Sequence, residues 1–408
     1  MSTFALAACG GGGGFAGSGG NASSGKQTVT MLVNVTPNLS ETYWRNLVAP
    51  YEKANNVTVK IQAPSGSGVS DTLPQLLAAG TAPDIVETLM ANKTLAPQML
   101  DLTDQSWVND TPLVKEASLG GKVYTVGVGE QAQSLVYYNE DAFTKAGIAA
   151  PPKDLDEFTT DLGKLKAAGY LPLQTGGDYI TGLQLLQLAD PSIVAGDASW
   201  YQDVKAGKAD VGQSLQPLLQ RYQDWLKAGY LDKNALGLKA DAAQTNFLSG
   251  KAGMYIMGSW LVSTVASTKT SFPVGAFAAP GAPGGPYPGA QGATMAAPYM
   301  VLKSSQHRDA AVALVKWLVT DHTAVTSQLK QDGDFRPGFD WCTIDLCKQV
   351  QQILTDAPAT TPQGEGYGDL TLPAGFNTEF NKDAQGLYVG RSPAQVAQAV
   401  DAWVKSNS

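Results

Sequence analysis

Between residues 247 and 260 the chain reads Phe-Leu-Ser-Gly-Lys-Ala-Gly-Met-Tyr-Ile-Met-Gly-Ser-Trp. This order spells the end of a helix, a turn at Gly250, a short buried strand over 252–257, and a Gly258-Ser259 opening that presents Trp260. The plainer alternative is an ordinary core tryptophan that follows a strand. At 408 residues the chain exceeds the size at which a single core stops growing, so two lobes are expected.

From Gln27 onward the pattern is α/β. Residues 29–35 are a β-rich run, residues 40–54 a helix with Tyr43, Trp44, Leu47 and Tyr51 at helical spacing, and residues 57–61 an alternating strand, which together make a β-α-β unit. Pro50 predicts a kink or an early break in that helix. Ligands in open α/β sheets sit outside the carboxyl ends of the strands, which makes Asn38 and Ser65 cleft candidates. A helix over 71–79 leads to Gly80-Thr81-Ala82-Pro83-Asp84-Ile85-Val86, where Asp84 ties down the turn before a buried strand. Asp154 with Glu157 marks a helix N-terminus, with Leu155, Phe158, Leu162 and Leu165 as the buried stripe. Helices are also expected over 199–205, 215–228 and 309–319, and Ser392-Pro393-x-Gln395 is a capping box that opens the last one.

Phe247, Gly250, Met254, Gly258, Ser259 and Trp260 resemble, in order and spacing, a segment of extracellular solute-binding protein family 1, the maltose-binding-protein-like receptors of carbohydrate ABC importers. Gly80 to Val86 is similar to that family's Gly-x-x-Pro-Asp-Ile/Val segment. Gly121-Lys122-Val123-Tyr124 through Tyr137-Tyr138-Asn139 is similar to its Gly-Lys-x-Tyr, strand, Tyr-Tyr-Asn run. The Pro-Pro-Lys-Asp-Leu-Asp-Glu-Phe segment over 151–158 matches more loosely, since Leu155 stands where the family has Trp.

The resemblance implies an α/β, two-lobed periplasmic-binding-protein type II fold with multiple crossings between lobes. Lobe 1 would take residues 27–135 and 294–345, and lobe 2 residues 136–293 and 346–408. Trp260 would be a wall of the ligand cleft, because the C–H face of a pyranose packs on an indole while its hydroxyls face polar groups. Asp178, Glu130 and Gln133 would accept from sugar hydroxyls, and Tyr179 would supply a second ring. Thr88 lies in the run Glu87, Thr88, Asn92, where the family places ligand hydrogen bonds. A helix-capping Asp178, a packing Tyr179 and a solvated loop at Glu130–Gln133 are the alternatives. Further aromatic residues, Trp341, Tyr299, Tyr367 and Phe376, favour an oligosaccharide over a monosaccharide. The implied partners are a carbohydrate and ABC permease subunits, with the chain a monomer that needs no cofactor.

Leu6-Ala7-Ala8-Cys9 before Gly10 resembles a bacterial lipobox, so residues 1–9 read as a truncated export signal that ends in a lipid-bearing Cys9. Residues 10–26 hold Gly, Ser, Ala and Asn with almost nothing to bury, a tether reaching roughly 20–25 Å from a membrane. The protein is therefore expected on the extracellular face of a bacterial membrane, held by the lipid alone. A net charge of −8 argues against nucleic acid, and no apolar run approaches a membrane span. Outside the cytoplasm, Cys342 and Cys347 favour a disulfide over a metal site, since only His307 and His322 could add ligands.

The sequence carries no nucleophile elbow, Walker loop, dinucleotide fingerprint or metal-binding His pair. A glycosidase needs only two placed carboxylates, and 36 acidic residues can supply a pair. A secreted carbohydrate hydrolase and a receptor for a non-sugar ligand thus stay as rival readings.

Overall fold

The computed structural model describes residues 26–36, 38–65, 68–285, 291–357 and 360–408. Cys9, the rest of the expected export signal and the tether up to residue 25 lie outside the described residues. Among the described residues the strands are, in chain order, β1 (Gln27–Leu32), β2 (Val57–Gln62), β3 (Ile85–Glu87), β4 (Gly129–Ala132), β5 (Leu135–Asn139), β6 (Leu171–Gln174), β7 (Ala252–Met257), β8 (Val274–Ala278), β9 (Gln291–Ala296), β10 (Tyr299–Val301), β11 (Thr360–Pro362), β12 (Gly366–Tyr367) and β13 (Leu370–Thr371).

Lobe 1 is built on the sheet β10-β3-β1-β2, parallel except for β10. Its side chains alternate between faces, as the two-residue period of a strand requires. Val29, Met31, Val59, Ile61 and Ile85 enter one core with helices Glu41–Asn55 and Arg308–Thr320. Leu32, Val86 and Met300 enter the opposite core with Val69 and Leu73 of helix Val69–Ala78. Helix Glu41–Asn55 runs on through Pro50, so the early break predicted there does not occur. Both Pro50 and Asn46 are exposed, and water can satisfy the Asn46 carbonyl that the proline leaves without its helical partner.

Lobe 2 is built on the sheet β6-β7-β5-β8, with β6 parallel to β7 and the other pairs antiparallel. Val136, Met254, Ile256 and Phe277 face helices Leu155–Ala167 and Val211–Ala228, while Leu135, Tyr137, Tyr255 and Met257 face Phe247, Leu261 and helix Asp345–Asp356. Every residue of β7 is buried, and Gly250 makes the turn before it at φ +80°. The Ser392–Gln395 capping box opens helix Pro393–Asn407. That helix lies so close to Val211–Ala228 that a Cβ on Gly212 would meet the Ala397 carbonyl at 2.0 Å.

The chain crosses between the sheets after β4, between β8 and β9, and between helices His322–Asp332 and Asp345–Asp356, and these passages are tied together. β4 pairs with β9, β9 pairs with β11, and Glu130 and Phe335 exchange both backbone hydrogen bonds at 2.7 and 2.9 Å. In the stretch 346–408, read from sequence as lobe 2, β11 pairs with β9, and the Asp369 carboxylate accepts from Gly120 N. Cys342 and Cys347 are joined in a disulfide, the first in the passage after helix His322–Asp332 and the second in helix Asp345–Asp356.

Candidate functional site

Trp260 begins helix Trp260–Ser267 directly after β7, and its half-buried indole lies across the backbone of Gly258. A Cβ at Gly258 would stand 2.0 Å from the ring, so glycine is what lets the indole take this position. Gly333, at φ +70°, lets the backbone of the third crossing approach Ser259; a Cβ there would meet the Ser259 carbonyl at 2.3 Å. Ser259 in turn exchanges backbone and side-chain bonds with Ala132, at 2.8 and 3.2 Å. The Gly258-Ser259-Trp260 corner is therefore clamped by two crossings at once.

Beside this corner three carboxyl groups converge, and the Ser259 hydroxyl donates to one of them, Asp334 Oδ1, at 3.4 Å. Glu87 ends β3, is 2 % exposed, and accepts from Asn34 N at 2.8 Å. Burial pushes its carboxyl from the ordinary 4.5 up to about 8, and the charge of Asp332 adds to the shift. Asp332 ends helix His322–Asp332, and Asp334 follows Gly333. Burial raises both, and for Asp334 the neighbouring Asp332 and Glu87 charges push the same way. Tyr43, from helix Glu41–Asn55, lies near all three carboxyls, and burial holds its hydroxyl well above the usual phenol range against the downward pull of a hydrogen bond with Ser327.

A relay of side-chain amides fixes Asp332. Gln187 Nε2 donates to Gln133 Oε1 at 3.0 Å, Gln133 Nε2 to Gln131 Oε1 at 3.2 Å, and Gln131 Nε2 to Asp332 Oδ2 at 3.3 Å. The relay starts on a lobe 2 helix, crosses β4, and ends in the acidic cluster. Gln133 is thus a buried positioning residue with both amide atoms engaged, rather than a free acceptor for ligand hydroxyls. Strand alternation sends Glu130 to the other face of β4 from Gln131, where burial and the Glu116 charge raise its carboxyl.

The remaining sequence candidates divide. Tyr179 is 50 % exposed, and its hydroxyl is pushed up to about 12 by burial and by the charges of Asp241, Asp178 and Asp332. Asn38 reaches lobe 2: its Nδ2 donates to the Trp260 carbonyl at 3.4 Å and its Oδ1 accepts from Thr264 at 3.4 Å. Thr88 follows Glu87 at φ +81°, a conformation in which a β-branched residue is strained, and its N–H donates to Pro298 O at 2.9 Å.

Other candidates are placed elsewhere. Asp178 spends its carboxylate on the first N–H of helix Ala240–Leu248, at 2.9 Å from Ala240 N, so capping accounts for it. Ser65 is exposed after the edge strand β2, two strands from Glu87 in the order β3-β1-β2. Trp341 is 9 % exposed, stacks on Phe335 and donates Nε1 to Asp334 O at 2.7 Å, so it braces the third crossing and offers no open ring. Phe376 is 1 % exposed and stacks on Phe380 in the lobe 2 core, which removes it from the cleft. Sequence reasoning missed Asp332, Asp334 and Tyr43; an Asp-Gly-Asp turn at the end of a helix was the one available signal. Among the described residues no group of three His, Cys, Asp or Glu is placed to hold a metal.

A family model described as bacterial extracellular solute-binding protein matches residues 36–324, more than half of the chain. Among curated relatives, the maltodextrin-binding protein MdxE of Bacillus subtilis (strain 168) is 26 % identical over 285 residues, 66 % of this chain and 65 % of that protein. A probable sugar-binding periplasmic protein of Mesorhizobium japonicum is 25 % identical over 213 residues, half of each. The matches to the curated relatives span about 40 to 65 % of those proteins' length. Among solved structures, a chitin oligosaccharide binding protein superposes with TM-score 0.80 at 22 % identity, over 94 % of this chain and 99 % of that one. A sugar transporter structure from Bacillus licheniformis, in complex with stachyose, gives TM-score 0.77 at 20 % identity, over 93 % and 100 %. With the two lobes, their tied crossings and the clamped Trp260 corner, the chain belongs to the bacterial extracellular solute-binding protein family.

Proposed function

We propose that the protein is the receptor of a carbohydrate ABC importer. It captures a sugar, an oligosaccharide in the first instance, between its lobes and presents it to permease subunits on the extracellular face of a bacterial membrane. A lipid on Cys9 is its anchor, and the 10–26 segment is the tether.

What supports this reading is the surroundings of Trp260: its half-buried indole follows Ser259, whose hydroxyl donates to Asp334 at 3.4 Å, and Asp332, two residues from Asp334, is held by the Gln131 amide. Such a surface matches a pyranose, apolar on its C–H faces and rich in hydroxyl donors at its rim. The similar proteins point the same way, one a maltodextrin-binding protein and another a sugar transporter solved with stachyose. Contacts from both lobes favour the closed form, and that form is what a permease would recognise.

Titration calorimetry on the full chain and on Trp260→Ala tests this reading. A sugar that binds the wild type should bind the variant more weakly by roughly 2 kcal/mol or more, with the fold intact. Unchanged affinity in a folded variant would remove Trp260 from the site. Recovery of cleaved sugar from the mixture would turn the reading to the hydrolase, for which a carboxyl that keeps its proton near neutral pH, such as Glu87, is the general acid to test first.

A further inference from the structure

Trp260 is set in place by the residue before it. Ser259 N donates to Ala132 O at 2.8 Å, and the buried Ser259 Oγ accepts from Ala132 N at 3.2 Å while donating to Asp334 Oδ1 at 3.4 Å. Gly333 presses the chain just before Asp334 onto the same place: a Cβ there would stand 2.3 Å from the Ser259 carbonyl oxygen and 3.2 Å from Trp260 Cα. The third crossing therefore grips the corner through both its backbone and one side chain.

That side chain hangs on a fixed backbone. Asp334 N donates to Leu329 O at 2.8 Å, and Asp334 O accepts from Trp341 Nε1 at 2.7 Å, with Trp341 stacked on Phe335. Phe335 in turn exchanges two backbone bonds with Glu130, which ties the crossing to β4. The Asp334 carboxyl also accepts from Gln131, the far end of the amide relay that starts at Gln187. Gln187 lies on helix Ile180–Ala189, which Tyr179 opens. One carboxyl is thus the meeting point of the third crossing, the helix that carries Tyr179 and the corner that carries Trp260. It is 1 % exposed, so whatever it does for a ligand it does through Ser259. Burial, with the Asp332 and Glu87 charges, holds it well above the usual carboxylate range, and it acts there as a neutral hydrogen-bonding group.

We propose that Asp334 is a positioning residue for sugar binding: through the Ser259 hydroxyl it fixes the Trp260 indole in register with the helix that carries Tyr179. The proposal rests on the Trp260 reading above and names what holds that ring. An indole left free to rock must be ordered by the ligand, and that ordering lowers affinity.

Two readouts test it. In the first, maltotriose, mannotriose, raffinose and stachyose are titrated into the full chain by calorimetry, and each one that binds is titrated into the folded variants. Asp334→Ala is expected to bind at least about tenfold more weakly, and Asp334→Asn, neutral and of the same shape, within about threefold of the wild type. Ser259→Ala should weaken binding as well, and the double variant should fall no more than about twofold below the weaker single one, because both changes break the same bond. Asp334→Ser, too short to reach Ser259, takes the place of Asp334→Ala if that variant does not fold. The second readout needs no ligand: the chain is labelled with fluorotryptophan, and the Trp260 resonance is found by its loss in Trp260→Phe. That resonance should shift or broaden in Asp334→Ala and stay in place in Asp334→Asn, a contrast that lower stability alone does not produce in a folded chain.

An Asp334→Ala affinity within about threefold of the wild type, single effects that simply add, or a Trp260 resonance blind to Asp334→Ala overturns the positioning role. If no sugar binds, or if Trp260→Ala binds each sugar as tightly as the wild type, the Trp260 reading fails instead, and the resonance decides the Ser259–Asp334 link by itself.

Discussion

Asp190 offers a prediction whose size follows from its surroundings. It ends helix Ile180–Ala189 at the hinge, is 2 % exposed, and accepts from Thr361 Oγ1 of β11. Burial moves its carboxyl from the ordinary 3.8 to about 7, against weaker downward pulls from Thr361, Ser134 and the Gly292 N–H. Between about pH 4 and 7 the folded chain therefore holds a proton that the unfolded chain has lost. The stability tied to that proton is complete below about pH 4 and is lost as the pH rises through 7, by up to about 4 kcal/mol at 1.4 kcal/mol per pH unit. Asp190→Asn keeps an oxygen for Thr361 and cannot ionise. Urea unfolding of both proteins from pH 4 to pH 8 should show the variant gaining on the wild type as pH rises, by roughly 2–4 kcal/mol at the top of the range. Two stability curves that run parallel over that range would refute the buried, proton-holding Asp190.

Other substitutions probe the cleft and its frame. Gly258→Ala puts a methyl where the indole lies, so it should weaken sugar binding about as much as Trp260→Ala while lowering the melting temperature only modestly; wild-type affinity in calorimetry would contradict the indole's position. Replacing Cys342 and Cys347 together by Ser opens a ring whose ends are 5 residues apart, and chain entropy alone puts the loss at about 2 kcal/mol, read as a lower urea midpoint.

What could be read in the sequence was what neighbours in the chain decide. The β-α-β opening, the capping box at Ser392 and the Gly258-Ser259-Trp260 corner all rest on contacts within a few residues, and the structure holds each of them. What escaped was set by distant partners. Asp178 looked like a free acceptor because the helix it caps starts 62 residues later. Gln133 looked like a ligand group because the Gln187 that occupies it comes from another lobe. Trp341 and Phe376 were legible as aromatic but not as buried, since Phe335 and the lobe 2 helices decide that. The acidic cluster joins the end of β3 to an Asp-Gly-Asp turn far along the chain, and no local periodicity links the two.

The central claim is that the interlobe cleft captures a carbohydrate without altering it. The most direct measurement is the melting temperature of the described domain against a panel of mono- and oligosaccharides, with each sugar recovered and sized afterwards. A ligand of the folded state at a hundredfold excess over Kd stabilises it by about 2.7 kcal/mol, a shift that such a screen resolves. The account predicts that one class of oligosaccharide raises the melting temperature of the wild type, raises that of Trp260→Ala far less, and is recovered intact. A panel in which no sugar moves the melt, or in which the active sugar returns cleaved, would contradict it.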